Sequence, residues 1–162
     1  SGALAIAIAA AAPRAQVVAV ERSEAAARYL RANVDAQRPD VAQRLTLFVG
    51  DVTDAQAMSE ALGERDLIVA NPPYVPEGTT ISCEVQADPH DAVFSGSSGM
   101  DCIEAMTPII AAALTPGGAL AIEHDDTTAA AVCEVLSRDG RFAQIVAHRD
   151  LADRPRYVTA RR

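Results

Sequence analysis

The chain has 162 residues, 49% of them hydrophobic, and a formal net charge of -8, which supplies one globular domain with its own core. The acidic balance weighs against a general electrostatic grip on nucleic acid phosphates, though it leaves room for a local basic patch. Three cysteines, Cys83, Cys102 and Cys133, are an odd number without a Cys-x-x-Cys spacing, which reads as reduced thiols of a cytoplasmic protein rather than a disulfide frame or a zinc site.

The opening "SGALAIAIAAAAP" is too short to cross a bilayer and has no basic stretch before it, so it predicts an alanine-rich buried helix that stops before Pro13. A chain that begins without Met and enters a helix at once reads as a fragment. "AQVVAVE" (15 to 21) is a β-branched run ending in an acid, as expected of a parallel strand covered on both faces. Ser23 then caps a helix through about Ala36, with Glu24 in its first turn. A strand at 44 to 51, a short helix from Ala55 to Leu62 and a strand at 65 to 70 follow. The segment from Asn71 to Met100 is rich in Pro, Gly, Ser and Asp and too long for an ordinary connection, which marks it as a lid or binding loop. Beyond it, a helix from Asp101 to Leu114 is expected to end at "TPGG" and turn into the strand "ALAIEH" (119 to 124). A helix from about Thr127 to Arg138 leads to "RFAQIVAHRD" and "RPRYVTARR", two strand-like runs with the shape of a closing hairpin. The alternation predicts a doubly wound, Rossmann-like α/β fold whose sheet is mostly parallel with an antiparallel C-terminal hairpin, and ligands at the carboxyl ends of its strands.

Each strand's carboxyl end carries a polar residue: Glu21, Asp51, Asn71 and the pair Glu123-His124. Glu21 lies about twenty residues after Ser1-Gly2, the spacing at which such folds bring an acid to a nucleoside's ribose hydroxyls. The competing reading is a solvent-facing acid ahead of a helix. Asp51 is placed to accept from an adenine amino group, or to cap the turn that follows it.

The corner "NPPY", Asn71-Pro72-Pro73-Tyr74, has a mechanical reason at every position. Pro72 pushes Asn71 into an extended conformation, and Pro73 does the same to Pro72. Neither proline has an N–H, so the carbonyls here have few local donors and stay free to accept from a ligand beside the Asn71 side-chain oxygen. Two acceptors side by side suit one NH2 group, and Tyr74 adds a flat face for a planar amide or base. The competing reading is a stiff turn with Tyr74 merely packing.

Taken in order, "SGALAIAIA", the acid of "VVAVE", the "GD" after the next strand, "IVANPPYVP", "DP", "SGMD", "LTPGGALAIEH" and "DLADRPRYVTAR" resemble the catalytic domain of the HemK/PrmC-type release-factor glutamine methyltransferases, over nearly the whole chain. The Asn-Pro-Pro-Tyr corner alone is shared with adenine-N6 DNA methyltransferases and some RNA methyltransferases. The "IEH" strand and the "DLADRPRYV" ending point to the protein-glutamine family.

The resemblance implies S-adenosylmethionine as donor and S-adenosylhomocysteine as product, with no metal. Ser1 and Gly2 would be the last part of the cofactor's glycine loop, Glu21 its ribose ligand, Asp51 and Val52 its adenine neighbours, and Asn71 would lie near its methionine end. Asn71, Pro72, Pro73 and Tyr74 would hold a glutamine from the Gly-Gly-Gln motif of a peptide-chain release factor, with Asn71, Pro72 and Tyr74 as the catalytic set. A protein substrate is thus implied, with no direct nucleic acid binding and no membrane. His90 and His124 then read as structural or supporting residues. Against the family pattern, the strand before the glycine loop and the helical N-terminal domain are expected to be missing from residues 1–162. Asp125 and Asp153 stand where the family usually has glycine. The alternatives are an adenine-N6 or guanine-N2 nucleic acid methyltransferase using the same corner, and a non-catalytic fragment or binding module.

Overall fold

The computed structural model describes residues 1–82 and 85–162. Cys83, expected to be a reduced thiol, lies outside the described residues; neither Cys102 nor Cys133 is in a disulfide. The chain forms two compact units, Ser1–Gly63 and Glu64–Arg162.

In the first unit, α1 (Ala3–Ala11) precedes β1 (Val17–Glu21), α2 (Glu24–Asp35), α3 (Pro39–Ala42), β2 (Leu45–Val49) and α4 (Ala55–Leu62). The alanine-rich α1 does stop ahead of Pro13. Its last carbonyls would be left without partners, and the Arg44 guanidinium takes them, bonding the carbonyls of Ala9 at 2.6 Å, Ala12 at 3.1 Å and Ala15 at 3.0 Å. Ser23 caps α2 as expected, its Oγ accepting from Ala26 N–H at 3.3 Å, and Asp54 caps α4 by accepting from Gln56 and Ala57. β1 and β2 pair in parallel, Val17 opposite Leu45 through Glu21 opposite Val49. Ala9, Ala19, Ala27, Leu30, Val41 and Met58 are buried.

The second unit runs β3 (Arg65–Ala70), a 3-10 turn (Val85–Ala87), α5 (His90–Val93), α6 (Asp101–Ala113), β4 (Leu114–Glu123), α7 (Ala129–Asp139), β5 (Ala143–Arg149) and β6 (Pro155–Arg161). Its sheet has the order β3-β4-β6-β5; β3 and β4 are parallel, and β6 is antiparallel to both of its neighbours. Three strands therefore point one way and β6 alone is reversed, the expected parallel sheet closed by a hairpin. The core gathers under α6 and α7, with Ile103, Ile110, Leu114, Leu120, Ile122, Leu136 and Val158 at 2% exposure or less.

One expectation is corrected. "TPGG" does not separate helix from strand: β4 begins at Leu114, and Thr115 to Gly118 bulge out of the ladder between the Arg65–Leu114 and Leu67–Ala119 pairings. Gly117 at φ 81 allows the excursion. The bulge is tied down by Gly117 N–H to the Arg162 carbonyl, Arg162 N–H to the Gly118 carbonyl, and the Thr115 hydroxyl to the Arg65 carbonyl.

Candidate functional site

The sequence-predicted residues fall into two groups, one in each unit. In the first, Gly2 sits at the N-terminal cap of α1 with φ 80, and a Cβ there would lie 2.9 Å from Leu30 Cγ. Only glycine fits this close approach. The Ser1 carbonyl accepts from the Asn33 side chain at 2.8 Å. Glu21 and Asp51 come off neighbouring strand ends, bridged by the Gly50 N–H donating to the Glu21 carbonyl. Glu21 Oε1 accepts from Ser23 N–H at 2.9 Å. Asp51 is more heavily engaged: its Oδ1 accepts from the Thr53 N–H at 2.8 Å and the Thr53 hydroxyl at 2.7 Å, and its Oδ2 faces Arg22 at 3.5 Å. Those Thr53 hydrogen bonds, joined by the Arg22 charge and opposed by burial, hold its carboxyl below the usual range. The turn-capping reading of Asp51 is therefore satisfied in the structure. Val52 follows it, partly exposed.

The second group is the corner. β3 pairs with β4 as far as Ala70 opposite Ile122, so Asn71 leaves the sheet beside Glu123. Pro72 is buried while Asn71 is exposed. Among the described residues no hydrogen bond reaches the Asn71 side chain, and no N–H from a turn or loop reaches the carbonyls of Asn71, Pro72, Pro73 or Tyr74. The donor-poor corner expected from two prolines is what the fold presents.

The segment that follows holds the corner from behind. Val75 N–H donates to the Val93 carbonyl at 3.0 Å, Ser95 N–H to the Val75 carbonyl at 3.0 Å, and Glu77 N–H to the Gly96 carbonyl at 2.8 Å. Ser95, buried, also accepts on its Oγ from Cys102 N–H at 2.8 Å, which fastens the segment to the first turn of α6. Gly99, at φ 77, packs so closely that a Cβ would stand 2.3 Å from the Tyr74 carbonyl oxygen. The long loop is thus partly a scaffold for its own first residues.

Tyr74 does more than offer a face. Its hydroxyl donates to Glu123 Oε1 at 3.2 Å. Burial, then the Glu123 charge and this hydrogen bond, push the phenol above its ordinary range, with Arg156 working the other way. Arg156 in turn donates from Nε to Asp150 Oδ2 at 3.2 Å. Of these partners, sequence reasoning picked out Glu123 only as a strand-end acid and missed Arg156 and Asp150; the signal was in the "DLADRPRY" run, where two acids are followed by two arginines around a turn.

His90 stacks on Phe94 at 4.7 Å and pairs with Glu77 and Asp91. His124 is fully buried, with its Nδ1 2.7 Å from the Asp125 carbonyl, so that nitrogen carries the proton. The His124 Nε2 is buried without a hydrogen-bond partner among the described residues. Asp153, where the resemblance leads one to expect glycine, has φ 60; this left-handed turn position explains the usual glycine, and aspartate tolerates it better than most residues. Among the described residues no three His, Cys, Asp or Glu side chains gather so as to hold a metal ion, and no helix is long and apolar enough to cross a membrane.

A release factor glutamine methyltransferase of Corynebacterium glutamicum is 48% identical over 162 residues, covering 100% of this chain and 57% of that protein. One from Mycolicibacterium smegmatis is 43% identical over 163 residues, covering 100% and 56%. The chain spans about half the length of these curated relatives. A predicted O-methyltransferase from Agrobacterium tumefaciens has the same fold, with a TM-score of 0.68 at 24% identity over 99% of this chain and 68% of that one, which bears out the Rossmann-like methyltransferase architecture. The sequence model of the methyltransferase small domain matches residues 1–87, from Gly2 through the Asn71 corner; the chain belongs to the methyltransferase small domain family.

Proposed function

We propose that residues 1–162 are the catalytic domain of a cytoplasmic, S-adenosylmethionine-dependent enzyme that methylates the side-chain amide nitrogen of the glutamine in the Gly-Gly-Gln motif of a peptide-chain release factor. The observation that carries this reading is the corner: an exposed Asn71 amide without a partner among the described residues, beside proline carbonyls that accept nothing from a turn or loop. The similarity to release factor glutamine methyltransferases supports glutamine over a nucleic acid base.

The first unit's residues fit the donor's nucleoside. Gly2 lets backbone come close, and Glu21 has spent only Oε1 on its own turn, leaving Oε2 for ribose hydroxyls. Asp51 and Val52 would flank the adenine, with Asp51 loosening its hold on Arg22 to accept an amino group. When bound, S-adenosylmethionine supplies an electrophilic methyl on a sulfonium.

The chain's own task is to make a poor nucleophile serve. An amide nitrogen delocalises its lone pair into the carbonyl, and its orientation in solution is unconstrained. Asn71 Oδ1 and the Pro72 carbonyl would accept its two N–H bonds and so aim the nitrogen, while the two dipoles stabilise positive charge that develops there. The proton leaves after methyl transfer, when the nitrogen has become acidic, so the corner needs no adjacent base. Tyr74 and Pro73 would flank the amide on either side.

Mass spectrometry of a release factor incubated with the intact protein and S-adenosylmethionine tests this. A single methyl on the Gly-Gly-Gln glutamine is the expected result. Methyl transfer to an oligonucleotide alone, or no binding of the donor in calorimetry, would overturn it.

A further inference from the structure

Tyr74 is connected to the far end of the C-terminal hairpin by a line of charges that the mechanism above does not use. A carboxylate only accepts, so the Tyr74–Glu123 hydrogen bond fixes both the phenol's proton and its ring. Glu123 ends β4 opposite Tyr157 of β6, one residue along the strand from Arg156. The Arg156 guanidinium lies within electrostatic reach of both the Tyr74 oxygen and Glu123.

Asp150 anchors the other end. Its Oδ1 accepts from Ala152 N–H at 2.8 Å and Arg154 N–H at 3.0 Å, its own N–H donates to the Arg154 carbonyl at 2.8 Å, and its Oδ2 takes Arg156 Nε. The side chains of Arg156 and Asp150 are 29% and 28% exposed, so water screens this pair less than an open surface pair. Asp150 thus belongs to the backbone of a tight turn, and Arg156 is held by a fixed point.

Resting on the function proposed above, we infer that Arg156, held by Asp150, is a positioning residue for amide methylation: with Glu123 it holds the Tyr74 hydroxyl, and so the ring against which the substrate amide would lie. The charged groups facing the Tyr74 hydroxyl are Glu123 at the end of β4 and Arg156 on β6, with Asp150 behind Arg156. Misplacing the ring costs orientation at the reacting nitrogen while the donor's binding residues are untouched.

The test uses Glu123→Gln, Arg156→Met and the double variant in the intact protein. Residues 1–162 hold three tyrosines and no tryptophan. The Tyr74 phenol, pushed up by its burial and by Glu123, is followed by tyrosinate absorbance as the difference from a Tyr74→Phe reference. Glu123→Gln should move that transition to lower pH and Arg156→Met to higher pH; a merely structural loss would not give opposite signs. Each single variant should lower kcat roughly tenfold to a hundredfold with the donor's Kd changed less than about twofold. The double variant should lose about as much as the worse single one, because both act through one ring. Arg156→Lys, which keeps the charge, should titrate in the parent's order and recover part of kcat. Unmoved tyrosine titration, losses that multiply, or a fall in donor affinity parallel to kcat would overturn the proposal. The titration needs no turnover, so a protein that left glutamine unmethylated would refute the function while still reporting on the relay.

Discussion

At Asn71 the chain presents an exposed amide without a partner among the described residues, and at Pro72 a carbonyl that no turn or loop N–H reaches. A residue with no structural bonds to lose is a good one to remove. Asn71→Ala should therefore leave the folded protein unchanged and cut methyl transfer roughly a hundredfold or more, as loss of a preorganised polar group does elsewhere. Donor affinity should stay within about one order of magnitude. Calorimetry beside a methyl-transfer assay checks this, and affinity falling in step with activity would contradict the role. The corner was legible in sequence because its constraints are covalent: proline fixes its own φ and its neighbour's whatever the fold. The Tyr74–Glu123 bond was not, because its partners are 49 residues apart and meet only through the parallel register of β3 and β4. Asp153 lies between these cases. Its departure from the family's glycine was visible at once, but the reason, φ 60, belongs to the folded turn.

Among the elements, α4 and β3 match their sequence reading to the residue, because Asp54 caps the helix, Gly63 at φ 56 ends it, and the apolar run of residues 67–70 follows shortly after. The four-residue α3 and α5 went unread, since one helical turn carries no hydrophobic period. The start of β4 was misread for a different reason. Glycine and proline usually stop a strand, yet here Gly117 and Gly118 loop out while the ladder resumes at Ala119. The packing of Gly99 on the corner was equally hidden, and it has a consequence. Gly99→Ala places a methyl group 2.3 Å from the Tyr74 carbonyl at a φ of 77, and backbone cannot yield as a flexible side chain does. The expected cost is on the order of 2 kcal/mol in denaturant unfolding. Transfer should fall further than stability alone explains, because the displaced atom belongs to the corner. A variant as stable and as active as the parent would show that this segment does not hold Tyr74.

At the scale of the whole chain, the two units differ in how their sheets are supported. In Ser1–Gly63 the sheet has two strands, each with one hydrogen-bonded neighbour, and three of the buried apolar residues are alanines, which bury little area. In Glu64–Arg162, β4 and β6 each have a neighbour on both sides and lie over a core that includes Ile103, Ile110, Leu120, Ile122, Leu136 and Val158. Two paired strands are marginal by themselves, so β1 and β2 depend on α1 and α2 for cover. Local opening should therefore cost less in the first unit than in the second. Native-state hydrogen exchange on residues 1–162 makes the difference measurable. The amides of Val17–Glu21 and Leu45–Val49 should exchange at least roughly tenfold faster than those of Leu120–Ile122 and Val158–Ala160. S-adenosylmethionine, if Gly2 and Glu21 hold its nucleoside, should slow exchange at β1 more than at β6, because a ligand stabilises the region whose open form cannot bind it. Uniform protection across both sheets would mean that the two units open together and that the small alanine-lined core is as costly to expose as the larger one.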